Sequence, residues 1–482
     1  MPMSTLLNLT PIFPEIFVLL MVLIILIVDS FFVRYSKIPY YFALITLVTV
    51  FWLTYYAFSE SASSVSLILH RMFILDSLSF YLKLFIYLSV FYVFLCVREY
   101  NQIRKVPDTE FYVSGLLSLL GMMVLVSSHN LLITFLGIEL LFLPTCTMIA
   151  MRYQNSRCVE AGIKYFVTGI AASGILAYGM SMIFGVTRSL DFTTICTIVD
   201  QTSVHKNAIL VFSLVFIVTG IAFKLGAAPF HMWIPDVYEG APSSTALFIS
   251  TAPKIAIFSM IIRLLVDTLT PLQWQWHKML IVISILSMGI GNFTAILQSN
   301  VKKMLAYSSI AHMGYMLLGV LCGTKEGYAA AMFYVITYSF TTLGSFSMII
   351  LMSVGHLEAE NIKDFSGLNK RNPWLAFVML LILSSLAGVP PLVGFIAKVG
   401  ILDALIRAHL IWLAALSVFF TVIGAYYYIR LIKVMYFDSS SISVQPVQYS
   451  LKMNVMISVS GLTIFFTGMF PEWLYTLVHL TF

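Results

Sequence analysis

The chain has 482 residues, 60% of them hydrophobic and only 10% charged, with a formal net charge of +6. Soluble domains carry roughly 25% charged residues, so an aqueous globular fold is excluded, and with it the nucleic-acid reading that surplus cations would invite in a soluble protein. What remains is a backbone that lies in lipid and satisfies its own hydrogen bonds there.

The first apolar run, Ile16 to Val33, has no basic segment before it and no small-residue cleavage site after it, so it reads as a retained span and not a signal peptide. Its stretch from Ile16 to Val28 does not alternate, which argues against a β-barrel. A helical span needs roughly 20 mostly apolar residues. Breaking the chain at charged or Pro/Gly-rich punctuation gives about fourteen such helices. They are expected at 14-33, 40-58, 72-95, 110-127, 131-151, 161-186, 207-229, 243-266, 277-297, 303-322, 328-353, 374-401, 409-436 and 453-478. The expected fold class is an all-α polytopic membrane bundle.

An even helix count puts both termini on one face. The odd-numbered loops then gather Arg34, Lys37, Arg98, Arg104, Lys105, Arg152, Arg157, Lys302, Lys303, Lys363, Lys370, Arg371, Arg430, Lys433 and Lys452. Opposite loops and their flanks hold Arg71, Arg188, Lys206, Arg263, Lys278, Lys325 and Arg407, about half as many. By the positive-inside rule both termini face away from the cytoplasm or matrix.

Two helices carry a proline break beside a lysine. The seventh has Lys224 and Pro229; the twelfth has Pro390, Pro391, Gly394 and Lys398. Paired, interrupted spans point to inverted repeats in transporters. The separation of five helices, an odd number, makes the second unit enter from the other side. The expected organisation is three N-terminal helices over 1-105, a first five-helix repeat over 106-268 (helices 4 to 8), an inverted second over 269-437 (helices 9 to 13), and a final helix over 438-482.

A charge at mid-bilayer costs about 2.5 to 3.5 kcal/mol on insertion scales, so an ionisable residue deep in a span is a functional candidate by default. Glu139, Lys164, Lys224, Lys254 and Lys398 qualify. Four lysines cannot all be neutralised by one glutamate, so some are held neutral or share protons. The competing reading is a plain ion pair, such as Glu139 with Lys224, that orients helices. Lys164, near a helix end, can instead snorkel to the interface. Lys83 and Asp76, roughly two turns apart on one face of the third helix, are expected to form a structural pair.

Two histidines join the candidates. His231 follows the break in the segment from Ala227 to Pro235, where irregular backbone needs protein or water beside it, and its reference pKa near 6.5 suits a proton relay. His312 reads equally as a relay or as a hydrogen-bonded core histidine; the other seven get no role. Cys96, Cys146, Cys158, Cys196 and Cys322 are scattered without metal-ligand spacing. No dinucleotide, Walker A or HExxH motif occurs, so hydride transfer, ATP hydrolysis and zinc chemistry are not expected of this chain.

The segment Phe223-Lys-Leu-Gly-Ala-Ala-Pro-Phe-His-Met-Trp-Ile-Pro-Asp-Val-Tyr-Glu-Gly-Ala-Pro242, with Thr251-Ala-Pro-Lys-Ile-Ala256, resembles the helix 7 and 8 signature of the antiporter-like subunits of bacterial respiratory NADH:quinone oxidoreductase (complex I), those of the subunit N family. Gly137-Ile-Glu-Leu-Leu141, Ile163-Lys-Tyr-Phe166, Ser308 to Tyr315 and Leu386 to Lys398 extend the resemblance over most of the chain from helix 4 onward. It departs chiefly at Leu392 and Val393, within the Pro-Pro-x-x-Gly turn.

The resemblance implies that the family's glutamate falls on Glu139, its helix 7 and 8 lysines on Lys224 and Lys254, and its helix 12 lysine on Lys398. It also implies a proton-translocating role without cofactors in this chain: NADH, flavin, iron-sulfur clusters and quinone belong to partner subunits of the membrane complex. The expected location is the bacterial inner membrane, with the mitochondrial inner membrane as the alternative. A subunit of a multi-subunit cation/proton antiporter or membrane-bound hydrogenase is the alternative function.

Overall fold

A computed structural model describes residues 10–31, 37–60, 66–202, 208–353, 358–438 and 451–482. Its first helices are α1 (Phe13–Phe31), α2 (Ile38–Glu60), α3 (Ser77–Arg104), α4 (Asp108–Val126), α5 (Leu131–Ala150), α6 (Ser156–Thr187), α7 (Phe192–Gln201) and α8 (Ala208–Leu225). Then come α9 (Trp233–Gly240), α10 (Ser243–Ile249), α11 (Ala252–Ile261), a π-helical turn (Ile262–Thr268), α12 (Gln273–Ile296), α13 (Val301–Leu321) and α14 (Lys325–Met352). The chain closes with α15 (Leu368–Arg371), α16 (Pro373–Ala387), α17 (Val393–Arg407), α18 (Ile411–Tyr436), α19 (Leu451–Met469) and α20 (Glu472–His479).

Among the described residues, 13 helices are long and apolar enough to cross a membrane. The remaining expected span, over 374-401, is split into α16 and α17. Gly388, at φ +88° in the left-handed region, ends α16, and Pro390 and Pro391 follow, so the helix cannot continue. The expected seventh helix ends the same way. Gly226, at φ +76°, follows α8, and the chain resumes as α9 only after Pro229 and His231. Both Pro229 and Pro391 follow cis peptide bonds. Arg34 and Lys206, counted in the loop charges, lie outside the described residues, as do 32-33 and 207 at the ends of the expected first and seventh helices.

A hairpin and short α7 are not expected from the sequence, and both ends of the third helix differ from the expected 72 and 95. Ser66–Ile68 and Phe73–Leu75 form an antiparallel hairpin, β1 and β2, with Ser66 opposite Leu75 and Ile68 opposite Phe73. The third helix therefore begins at Ser77 and not at 72, with Asp76 as its N-cap accepting from the Ser79 amide. It runs on to Arg104, past the expected end at 95. Short α7 stands in the connection between α6 and α8, capped by Asp191.

The chain condenses into two compact units: Met1–Lys224 with Ala252–Trp276, and Leu225–Thr251 with His277–Leu480, while Thr481 joins the first and Phe482 the second. In the first unit α4 and α5 approach closely. A Cβ on Gly137 would stand 2.9 Å from the Leu125 amide nitrogen, so only glycine fits this contact two residues before Glu139. The hairpin extends into the α4–α5 connection, with Phe73 bridging Ser128 and Asn130 bridging Asp191. In the second unit, α13 and α14 are each 94% buried over their apolar windows. There Asn300, which caps α13, makes an isolated bridge to Asn361.

Candidate functional site

In the first unit α5 presents Glu139, α6 presents Ser173 and the last turn of α8 presents Lys224. The Lys224 Nζ lies 3.6 Å from a Glu139 carboxylate oxygen and donates to the Ser173 hydroxyl at 2.8 Å. Ser173 in turn donates to the same Glu139 oxygen. The ammonium also sits 4.0 Å above the centre of the Phe142 ring, where the aromatic face supplies part of the charge stabilisation that water would give. Lys224 is 6% exposed. Lysine, hydroxyl and carboxylate thus form one unbroken hydrogen-bonded series, the arrangement through which a proton can be shared.

Lys254, 1% exposed, lies on α11, every residue of which is buried. Ser250, Thr251 and Ser259 supply hydroxyls on the same stretch of chain. Lys164 stands apart from this set. Its side chain is 45% exposed and pairs with Glu160 at 2.9 Å, one turn earlier on α6.

In the second unit Lys398 reaches back from α17 across the break. Its Nζ donates to the carbonyls of Leu386 and Ala387, both at 3.0 Å. These belong to the last turn of α16, whose carbonyls carry the negative end of the helix dipole. Gly388 makes room: a Cβ there would lie 3.1 Å from the Lys398 Nζ. The Tyr315 ring lies 5.4 Å from that ammonium and 6.2 Å from the His312 ring.

His312 is buried with both ring nitrogens engaged, Nδ1 with the Tyr334 hydroxyl at 2.6 Å and Nε2 with the Tyr428 hydroxyl at 3.1 Å. One nitrogen donates and the other accepts, so the ring links two tyrosines, and Tyr428 passes the network to Ser308. His231, in the break after α8, faces the Tyr307 ring at 6.4 Å, and its Nδ1 is buried without a hydrogen-bond partner.

The expected pairing of Lys83 with Asp76 is not made. Asp76 caps α3 and binds Arg263 at 2.7 Å, while Lys83 binds Glu15 of α1 at 2.5 Å. Asp76 lies before the helix begins, which removes the shared face that the spacing implied. Ser173, Tyr315, Tyr334, Tyr428 and Glu15 escaped the sequence reading. The first four are not charged near neutral pH, and Glu15 sits in the first turn of a span, where a carboxylate reads as interfacial.

A family model for the transmembrane region of NADH:quinone oxidoreductase and Mrp antiporter subunits matches residues 128–424. The chain is 64% identical over 480 residues to the NADH-quinone oxidoreductase subunit N of Coxiella burnetii, covering 99% of this chain and all of that protein. It is also similar to a chain of the respiratory complex I of Thermus thermophilus, at TM-score 0.81 and 24% identity, over 96% of this chain and 98% of that one. A chain of the Mrp complex of a Dietzia species matches at TM-score 0.85 with 17% identity, over 98% and 97% of the two chains. The fold is therefore common to both kinds of assembly, and sequence identity separates them.

Proposed function

Because this chain belongs to the subunit N family of NADH-quinone oxidoreductase, we propose that it moves protons across the bacterial inner membrane through its buried charges, while partner subunits of the membrane arm hold NADH, flavin, iron-sulfur clusters and quinone. The relatives are bacterial and the many apolar spans suit a multi-pass inner-membrane protein. The antiporter alternative shares the fold but not the sequence identity.

One observation carries the reading: the hydrogen-bonded series Lys224, Ser173, Glu139 inside membrane-spanning helices. Two unit charges at this separation interact by a few kcal/mol at an effective dielectric of about 20, and each 1.36 kcal/mol is about one pKa unit. A charge movement in a neighbouring subunit that draws Glu139 away from Lys224 therefore changes the proton affinity of the lysine.

Lys254 and His231 pass the proton on, and Lys398, with His312 in its tyrosine cage, delivers it. Lys164, in the first turns of α6, is the cation on the uptake side. The matching breaks after Gly226 and Gly388, and the matching bridges of Asn130 and Asn300, support the reading of helices 4 to 8 and 9 to 13 as inverted repeats.

The test is NADH-driven proton pumping beside NADH:quinone electron transfer in membranes carrying Glu139→Gln or Lys224→Ala in an assembled complex. Loss of pumping, or of both activities together, is expected. Retention of both at normal levels would leave the chain a structural scaffold.

A further inference from the structure

The two broken spans are held in different ways. In a continuous helix the Ala228 amide would donate to the Lys224 carbonyl, four residues earlier. The break after Gly226 turns it away, and it donates instead to the Ser287 hydroxyl of α12 at 2.8 Å, across 59 residues of sequence. At the second break the bond is local: the Gly394 amide donates to Ser385 Oγ of α16, nine residues before it, at 3.1 Å. An amide without a partner is costly inside a membrane. The Ser287 hydroxyl therefore fixes the first break to a helix that lies beyond Lys254 in the chain.

Ser287 has little freedom to move. It is fully buried, and α13 presses on it: a Cβ on Gly314 would lie 3.0 Å from the Ser287 Cβ and 2.9 Å from the Ser284 carbonyl oxygen. Later in the same segment, Glu239 at the end of α9 pairs with Lys303 of α13 at 2.7 Å. Tyr238 packs edge-on against Phe346 of α14, 5.7 Å between centres. These contacts explain why Leu225–Thr251 condenses with the second unit.

The residues flanking that segment carry the chemistry of the first unit. Lys224 immediately precedes it, and Lys254 follows three residues after its end. The Lys224 ammonium meets Ser173 at 2.8 Å and Glu139 at 3.6 Å, separations at which a shift of about an ångström makes or breaks a hydrogen bond. Backbone bonds do not stretch, so the place of Ala228 limits where the last turn of α8 can stand.

We propose that Ser287 is a positioning residue: it anchors the break, and Leu225–Thr251 is the covalent tether through which the second unit keeps Lys224 in register with Ser173 and Glu139. The proposal rests on the reading that Glu139 and Lys224 carry protons.

The test is NADH-driven proton pumping by the assembled complex in inverted membrane vesicles, with Ser287 varied alone and together with Ser173→Ala. Valine and threonine have nearly the same shape and differ in the hydroxyl. Ser287→Val is expected to lower pumping about fivefold, and Ser287→Thr to keep most of it. A residue that only supports the fold acts independently of the Lys224 series, so its loss would multiply with the roughly tenfold loss expected of Ser173→Ala, giving about fiftyfold. A residue acting through the position of Lys224 has little left to lose once Ser173 is gone, and the double variant is expected to stay near about tenfold. Equal pumping in the Val and Thr variants, or losses that multiply, overturns the proposal. Should Ser287→Val not assemble, Glu239→Gln at the partly exposed pair with Lys303 carries the test. A loss of about twofold that disappears in the Ser173→Ala background supports the tether; an absent or persisting loss overturns it. Lys224→Ala in the same vesicles separates the two readings: normal pumping there removes the underlying function, whereas its loss beside normal Ser287→Val removes only the anchor.

Discussion

The Lys83 ammonium, fully buried on α3, lies 2.5 Å from the Glu15 carboxylate of α1, and the second Glu15 oxygen has no partner. Breaking a buried pair from one side costs about 3–5 kcal/mol, because the remaining charge is left uncompensated. Lys83→Met is therefore expected to lower the thermal unfolding temperature of the purified protein steeply. Adding Glu15→Leu should recover most of the loss, and a double-mutant cycle measures the coupling. Equal damage from the double variant would show that the pair does not stand alone.

Asp76 gives a pH signature. Burial raises its carboxyl, but Arg263 and the Ser79 amide and hydroxyl more than offset this and hold it below the usual range. A depressed acid contributes stability above its unfolded pKa of about 3.9, and that stability is lost as pH falls through the lower folded value. Asp76→Asn keeps the cap but loses the ion pair, at a cost of about 2–3 kcal/mol near neutral pH, since Asp267 still holds Arg263. Unfolding curves of variant and wild type are expected to converge only as pH falls through the depressed Asp76 value, below the unfolded pKa of about 3.9. A gap that stays constant through the whole acid range in which the protein can be unfolded reversibly would mean that the Asp76 charge is not the cause.

Ser173 is the middle of the Lys224–Glu139 series. Ser173→Ala removes one acceptor from a buried ammonium and one donor from a carboxylate, so pumping should fall roughly tenfold, corresponding to about 1.4 kcal/mol. Ser173→Thr, which restores a hydroxyl, should recover part of it. Unchanged pumping in Ser173→Ala would leave direct Lys224–Glu139 contact as the only coupling.

Gly388 combines φ +88° with a Cβ position 3.1 Å from the Lys398 Nζ. A side chain there strains the backbone by about 1–2 kcal/mol and displaces the ammonium from the α16 carbonyls. Gly388→Ala is expected to reduce pumping severalfold with Lys398 itself intact. Gly185→Ala on α6, where a Cβ meets nothing within 4 Å, is the control, changing stability by under about 1 kcal/mol. Equal behaviour of the two variants would remove the special role of the break.

The spans were legible because apolar runs of that length leave the chain no other place. Glu139, Lys224, Lys254 and Lys398 were legible because charge in such runs is expensive. What escaped was whatever the membrane does not penalise. Ser173 looks like any helical serine until Glu139 and Lys224 flank it. The hairpin lies in a Ser-rich connection too short to show alternation, and α7 is too short and too polar to read as a span. Asp76 was misassigned for a related reason: a helix that starts at Ser77, five residues later than expected, turns an apparent face-mate of Lys83 into a cap.

The partition of the chain bears on how it is made. The first unit needs Ala252–Trp276, yet Leu225–Thr251, translated earlier, belongs to the second. Domains usually fold in order as they leave the ribosome, but here a segment of the later unit is synthesised before the last piece of the earlier one. Severing the polypeptide between the two broken spans would strand pieces on the wrong fragment. Lasting insertion defects are therefore expected to cluster around Lys224 and Thr251, where the polypeptide changes allegiance.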